Sequence, residues 1–381
     1  MLTFNRAKLR LLRSVATAIS AAALMLSGAP CFAMEKPLNC PLKDEPLSTS
    51  SPLLDLLLSP TATDVLNRHG YLKNIPAFFT PTAPPTFASI ITFRQLPTTK
   101  GILATDLDIL DGELKQIKLD ASFKRLRCSR YDDIRPPIPE FGPGPKILVF
   151  GKINGFKDEP SVSAASQALR QIAARNGWNL FFSENAGIFN QDDLRKFDAV
   201  LWNNVSGDVL TVEQRVAFKA YIENGGGFVG IHGAGGDPAY FWDWYVKTLV
   251  GAQFAGHPLN PHFQAAYVVV DDKASPITSE VSPGWTMTEE WYSFVESPRA
   301  SGAHILLTLD ESTYNPPKEM VMGDHPIAWQ KCIGKGRSFY TAIGHRPESY
   351  SEPHAMSVLE RGIGWAISPN SLAKEDEPTC H

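Results

Sequence analysis

The run GGGFVGIHGAGG, from Gly225 to Gly236, constrains the fold more than any other stretch of this chain. Four apolar residues, Phe228 to Ile231 with one internal glycine, lie between three glycines and the histidine at 232. Three more glycines follow among the next four residues. A short apolar run bounded by glycine reads as a strand buried on both faces of a sheet. The glycines behind it permit positive φ and close backbone approach, so the chain can turn sharply. Such a turn holds His232 just past the carboxyl end of a central strand, where open α/β sheets bind their ligands.

Upstream of this strand the pattern alternates regularly. KILVF (146–150), WNLFF (178–182) and DAVLWNN (198–204) read as strands. SAASQALRQIAARNG (163–177) reads as a helix closed by Asn176 and Gly177, with a short helix from Asp192 to Lys196. Thr211 and Gln214 form a capping-box pattern opening a helix that runs to Glu223. Strands alternating with helices predict an α/β domain with a mostly parallel, doubly wound sheet covered on both faces. Downstream, PAYFWDWYVKTLVG (238–251) reads as an aromatic helix. FQAAYVVVDD, HILLTL, HPIAWQKC and GRSFYTAIG read as further strands, and MSVLERGIGWAI as the closing helix.

The N-terminal third has a different texture. Arg6, Lys8, Arg10 and Arg13 precede an apolar run from Val15 to Leu26 and the small-residue site Cys31-Phe32-Ala33. This is a secretory signal pattern, with cleavage expected after Ala33 and a periplasmic or secreted mature protein. Removing those four basic residues takes the formal net charge from −4 to −8. An acidic surface gives no reason to expect nucleic acid as a partner, and no later stretch is apolar enough to span a membrane. Cys40, Cys128, Cys332 and Cys380 remain, an even number that predicts two disulfides in an oxidising compartment. Three connectivities are open; Cys40 with Cys128 and Cys332 with Cys380 is the expected one. Residues 34–134 predict a small helical module, with Pro60 in a first helical turn after Ser59 and a second helix near Leu107 to Asp120. A Pro/Gly linker (135–145), the α/β domain (146–368) and a tail (369–381) complete the chain.

Seven of the nine histidines lie between His232 and His354. Four of the contexts, GIHGAG, AGHPLNPH, GDHPIAW and AIGHRPES, place histidine beside glycine or proline at a predicted strand end. Acidic partners stand in TEEWYSF and LDESTY. Imidazole both moves protons near neutral pH and holds transition metals, so this recurrence predicts one polar site. No HExxH pattern is present to fix a zinc site locally.

Together, SGDVLTVEQRVAFKAYIENGGGFVGIHGAGG, LVGAQFAGHP, EEWYSF, LLTLDESTY, GDHPIAW and GRSFYTAIGHRPESY make residues 146–368 resemble a ThuA-like (trehalose-utilisation) domain. The resemblance implies the flavodoxin-like sheet of class I glutamine amidotransferases and a role with trehalose or related glucosides. Amidotransferases carry a cysteine nucleophile at the strand-to-helix elbow; GIHGA has His232 there, and imidazole cannot perform that acyl-enzyme chemistry. His345, Pro347 and Glu348 echo the amidotransferase His-Pro-Glu motif with Arg346 interposed. Many ThuA-like proteins have a histidine where GFKDEP has Asp158, and a later His-Pro where this chain has Ser275-Pro276.

The function expected is acid/base chemistry on a trehalose-like disaccharide or 3-keto-glucoside, by hydrolysis, elimination or isomerisation. The alternative is a non-catalytic carbohydrate-binding module using the same pocket. His345, Glu290 and His325 are the expected catalytic residues. Asn203, Gly230, Asp237, Trp242 and Tyr292 are expected to contact the sugar, and His232 and His257 to hold a divalent, zinc-like metal. No nucleotide cofactor is expected.

Overall fold

The computed structural model describes residues 38–368. The expected signal peptide, the tail and Cys380 of the second expected disulfide lie outside the described residues. Among the described residues no helix is long and apolar enough to cross a membrane.

The first segment is helical and has its own apolar core of leucines and aromatics, including Leu53, Leu56, Leu66, Phe93 and Leu110. Helix α1 (Leu53–Leu57) is separated from α2 (Pro60–Arg68) because Ser59 caps α2, accepting from the Ala62 amide, and Pro60 opens its first turn. The second helix expected near 107–120 forms as α3 (Ala104–Lys115). It stops short because Asp120 caps a separate helix, α4 (Ala121–Cys128). A disulfide joins Cys40 to Cys128 across 88 residues of sequence. Beneath it, buried Asp55 accepts from Arg127 at 2.7 Å and from Arg130 at 2.8 Å.

The α/β part begins with β1 (Lys146–Phe150), α5 (Glu159–Asn176), β2 (Asn179–Ser183), α6 (Gln191–Leu194), β3 (Ala199–Asn203), α7 (Val212–Glu223) and β4 (Gly227–Ile231). Gly177 ends α5 in the left-handed region at φ +69°, and the Thr211–Gln214 capping box opens α7. After β4 come a short π-helix (Trp244–Val250), β5 (Phe254–Gly256), β6 (Gln264–Val270), β7 (Gly284–Glu289) and β8 (Ser293–Phe294). The chain closes with β9 (His304–Asp310), β10 (Pro326–Ile333), β11 (Gly336–Thr341) and α8 (Pro353–Ile367). The aromatic helix expected over 238–251 is thus helical only from Trp244. Strands β5, β7 and β8 had no counterpart in the sequence reading.

One nine-stranded sheet runs β2-β1-β3-β4-β11-β10-β9-β6-β7, and β5 pairs with β8 beside it. From β2 to β11 every pairing is parallel; from β11 to β7 every pairing is antiparallel. Because directions alternate there, β9 and β7 still run with the parallel set. The mostly parallel α/β architecture expected from sequence is present, with an antiparallel extension on one side.

That extension matters for the site. Three strands separate β7 from β11 in the sheet, yet the Gly344 amide, just after β11, donates to Glu289 at the end of β7 at 3.1 Å. The antiparallel half must therefore coil back on itself, as strongly twisted strands do. The helical segment braces the other side. Thr86 donates to the Asn154 carbonyl and Ala239 to the Ile90 carbonyl, both at 3.0 Å. Tyr131 donates to Asp208 at 2.8 Å.

Candidate functional site

His232 follows β4 at φ +42°, a left-handed conformation that costs a residue with a Cβ about 1–3 kcal/mol. The surroundings hold it there. Its backbone carbonyl accepts from the Tyr340 hydroxyl at 2.9 Å, and its Nδ1–H donates to the Ala342 carbonyl at 2.7 Å. The glycines behind it are needed because rings press on the turn: a Cβ on Gly235 would lie 2.5 Å from Tyr340, and one on Gly236 2.5 Å from Tyr292.

With Nδ1 protonated, Nε2 of His232 presents a lone pair to the interior. Glu290 Oε2 lies 3.1 Å from it, His345 Nδ1 3.2 Å, and the Tyr292 hydroxyl 2.8 Å. Glu290 Oε2 is also 2.9 Å from His345 Nδ1. The other carboxylate oxygen, Oε1, faces His262 Nε2 in a short contact and His257 Nδ1 at 3.3 Å. One buried carboxylate therefore meets four imidazoles, two on each oxygen.

The dipeptide Glu289-Glu290 builds this arrangement. Leaving β7, the two side chains diverge. Glu289, fully buried, accepts from the backbone amides of Gly344 and Arg346 and from the Ser349 hydroxyl, which fixes the loop carrying His345. Glu290 meets the ring of that same histidine. The β5–β8 pair, with Phe254 opposite Phe294, brings the His257 loop to the other oxygen.

Electrostatics follow from the geometry. Burial alone would raise the pKa of Glu290, but the imidazoles of His232, His262 and His345 gathered around it hold it well below the usual carboxylate range. Such a carboxylate is suited to binding cations rather than to carrying protons, which argues against the proton-transfer role expected of it. Burial lowers His257 despite Glu290. His262 is raised by its bond to Glu290, and in His345 the same carboxylate outweighs burial to give a raised pKa. Asp237 is the opposite case: burial pushes its carboxyl up to about 7, against hydrogen bonds from Ser206 and the Gly207 amide.

The group has the stereochemistry of a metal site. His232 Nε2, His345 Nδ1 and Glu290 Oε2 form a triangle with edges of 2.9, 3.1 and 3.2 Å. Tetrahedral zinc with ligands near 2.0 Å requires edges of about 3.3 Å. A neutral imidazole facing a carboxylate oxygen puts two lone pairs together, and a cation between them resolves the conflict. Of the ring nitrogens pointing away, His232 Nδ1 is anchored on the Ala342 carbonyl, as in metal-binding histidines generally, and His345 Nε2 faces Asp158 at 3.6 Å. A second triad, His257, His262 and Glu290, shares the carboxylate.

The sequence-predicted residues divide clearly. His232, His257, Glu290 and His345 come together, but His232 and His257, expected as a metal pair, fall in different triads. His325 stands apart: its buried ring bonds Glu311 at 2.7 Å and the Tyr292 carbonyl at 2.9 Å, so it holds the backbone behind the site. Tyr292 and Asp237 line the same pocket as His232. Asn203 is turned away, donating to the Val162 carbonyl and the Ser166 hydroxyl. Gly230 is closed off inside the sheet by Tyr340 and Phe228, and Trp242 packs on the Arg215 guanidinium at a different hollow. His262 and Asp158 were not among the expected site residues. Asp158 replaces a histidine of the ThuA-like pattern, and His262 ends the run AGHPLNPH.

Residues 146–366 match the family model ThuA, trehalose utilisation. The chain is similar to a ThuA-like protein from Bacteroides uniformis at 26% identity and a TM-score of 0.51, covering 61% of this chain and 96% of that one. A ThuA-like protein from Parabacteroides merdae is 17% identical, with a TM-score of 0.47 and coverage of 62% and 95%. A comparison with curated proteins finds no match. With the family model spanning more than half of its length, the chain belongs to the ThuA family.

Proposed function

We propose that residues 146–368 form a metal-assisted enzyme acting on a sugar, either a trehalose-like disaccharide or a 3-keto-glucoside. The observation that carries this reading is the triangle of His232 Nε2, His345 Nδ1 and Glu290 Oε2 at the carboxyl end of the sheet. Family membership supports a sugar-related substrate. A divalent ion such as zinc supplies Lewis acidity toward a sugar hydroxyl or carbonyl oxygen.

The chain's own groups complete the chemistry. Asp237, on the pocket wall with a carboxyl near 7, takes or gives a proton at neutral pH, as a general acid or base must. Tyr292 is held as a neutral phenol by burial, so it donates hydrogen bonds without carrying charge. Phe156 and Phe263, 40% and 38% exposed, lie 6.0 and 5.3 Å from the His345 ring and offer apolar faces to sugar C–H groups. Catalysis is favoured over simple binding because burying this many ionisable groups is costly unless they are used. We place the activity outside the cytoplasm, supported by the signal pattern of residues 1–33 and by the Cys40–Cys128 disulfide.

The test is a screen of zinc-loaded protein against disaccharides and 3-keto-glucosides, with His345→Ala as control. Turnover that disappears in the variant supports the proposal. Sugar binding without turnover would replace it with the binding-module reading.

A further inference from the structure

We propose that Glu290 bridges two metal positions, the second held by His257 and His262. This rests on the metal-assisted reading above and extends it from one ion to two.

The two triads share only Glu290, and each uses its own carboxylate oxygen. Oε2 serves His232 and His345; Oε1 serves His257 and His262. A carboxylate occupied in this way is a bridging ligand, and bridged sites hold their ions about 3.5–4 Å apart. The His257 and His262 rings stack with centroids 4.9 Å apart and 27° between planes, and both direct a nitrogen at the same oxygen; His257 Nδ1, 3.0 Å from the Pro258 carbonyl and 3.3 Å from Glu290, would give up the carbonyl to take an ion. The surroundings are acidic: Glu289 precedes Glu290 in the chain, and Asp158 lies 3.6 Å from His345 Nε2. Arg346, the cation of the same loop, turns to the Thr288 carbonyl and Glu348.

The two positions differ in exposure. His232 and Glu290 side chains are 4% and 3% exposed, whereas His257 and His262 are 24% and 37% exposed. The inner ion is enclosed by protein; the outer one faces solvent, exchanges faster and binds more weakly. The outer position is therefore the one open to a substrate oxygen.

The experiment is a titration of chelator-stripped full-length protein with Zn²⁺, read by calorimetry and by elemental analysis after gel filtration. Wild type should bind two equivalents in two steps of unequal affinity, and His262→Ala should bind one. Loading with Mn²⁺ should give an exchange-coupled electron paramagnetic resonance spectrum in wild type and an isolated-ion spectrum in His262→Ala. Circular dichroism controls for folding, and His262 is exposed enough that its truncation opens no core cavity. A single equivalent in wild type, unchanged in His262→Ala and lost in His232→Ala, would overturn the second position and leave the first intact. Two equivalents that persist in His262→Ala would also overturn it. No binding in any form would remove both.

Discussion

Glu290 Oε2 lies 2.9 Å from Nδ1 of His345, although the strands that deliver them are separated by three others in the sheet. This contact closes the antiparallel half of the fold over the edge of the parallel half. The site exists only where the two meet, so its residues should be sensitive to charge while the surrounding fold is not.

Glu290→Gln tests that distinction. Glutamine keeps the shape but replaces one acceptor oxygen with a donor and removes the negative charge. Turnover should fall by more than about 100-fold, beyond the ~10–100-fold typical when only an outer partner of a ligand is changed. Zinc affinity should fall with it while the circular dichroism spectrum is retained. Unchanged metal content would remove Glu290 from the ligand set.

Asp237 should leave a signature in stability against pH. Burial raises its folded pKa to about 7, above the ~3.9 of an unfolded aspartate. The folded state therefore binds the proton more tightly. The stabilisation this gives is complete below the unfolded pKa and lost as pH rises through about 7. Asp237→Asn removes the dependence. The difference in melting temperature between variant and wild type should shift in favour of the variant from pH 5 to pH 8. A constant difference across that range would mean that Asp237 is ionised throughout.

Much of this was legible in the sequence, and the failures have physical causes. The parallel half is readable because strands buried on both faces are continuous apolar runs, as in KILVF and DAVLWNN. GWTMTE at β7 buries only alternate residues, Trp285, Met287 and Glu289, and has no such run, so the strand that delivers Glu290 stays hidden. His325 resembles the other histidines in context and even lies at the same edge, since β10 starts where β11 ends. Its ring turns to Glu311 and to the Tyr292 carbonyl, and nothing in GDHPIAW records that direction. His262 was missed because sequence shows neither the fold of the 257–262 loop nor the carboxylate it faces. Asn203 ends β3, one residue short of the expected run 198–204, but side chains alternate across a sheet, and it is its neighbour Asn204 that lines the pocket.

The disulfide offers a test of how the helical segment supports the site. Linking Cys40 to Cys128 closes a loop of 88 residues, for which chain-entropy arguments give about 4–5 kcal/mol. The enclosed segment carries Thr86 and Ile90, which bond the chain near Asn154 and Ala239 on either side of the pocket. Cys40→Ser with Cys128→Ser should lower stability in denaturant titration by about 2–5 kcal/mol. The loss of activity on warming should begin at a lower temperature than in wild type. An unchanged denaturation midpoint would show that the helical segment is held by its apolar core alone.

The most direct test of the central claim is anomalous diffraction at the zinc edge from crystals grown with zinc. A peak about 2.0–2.2 Å from His232 Nε2, His345 Nδ1 and Glu290 Oε2 is the expected result. A map without a peak between these three atoms, with Glu290 bonded only to protonated imidazoles, would contradict it.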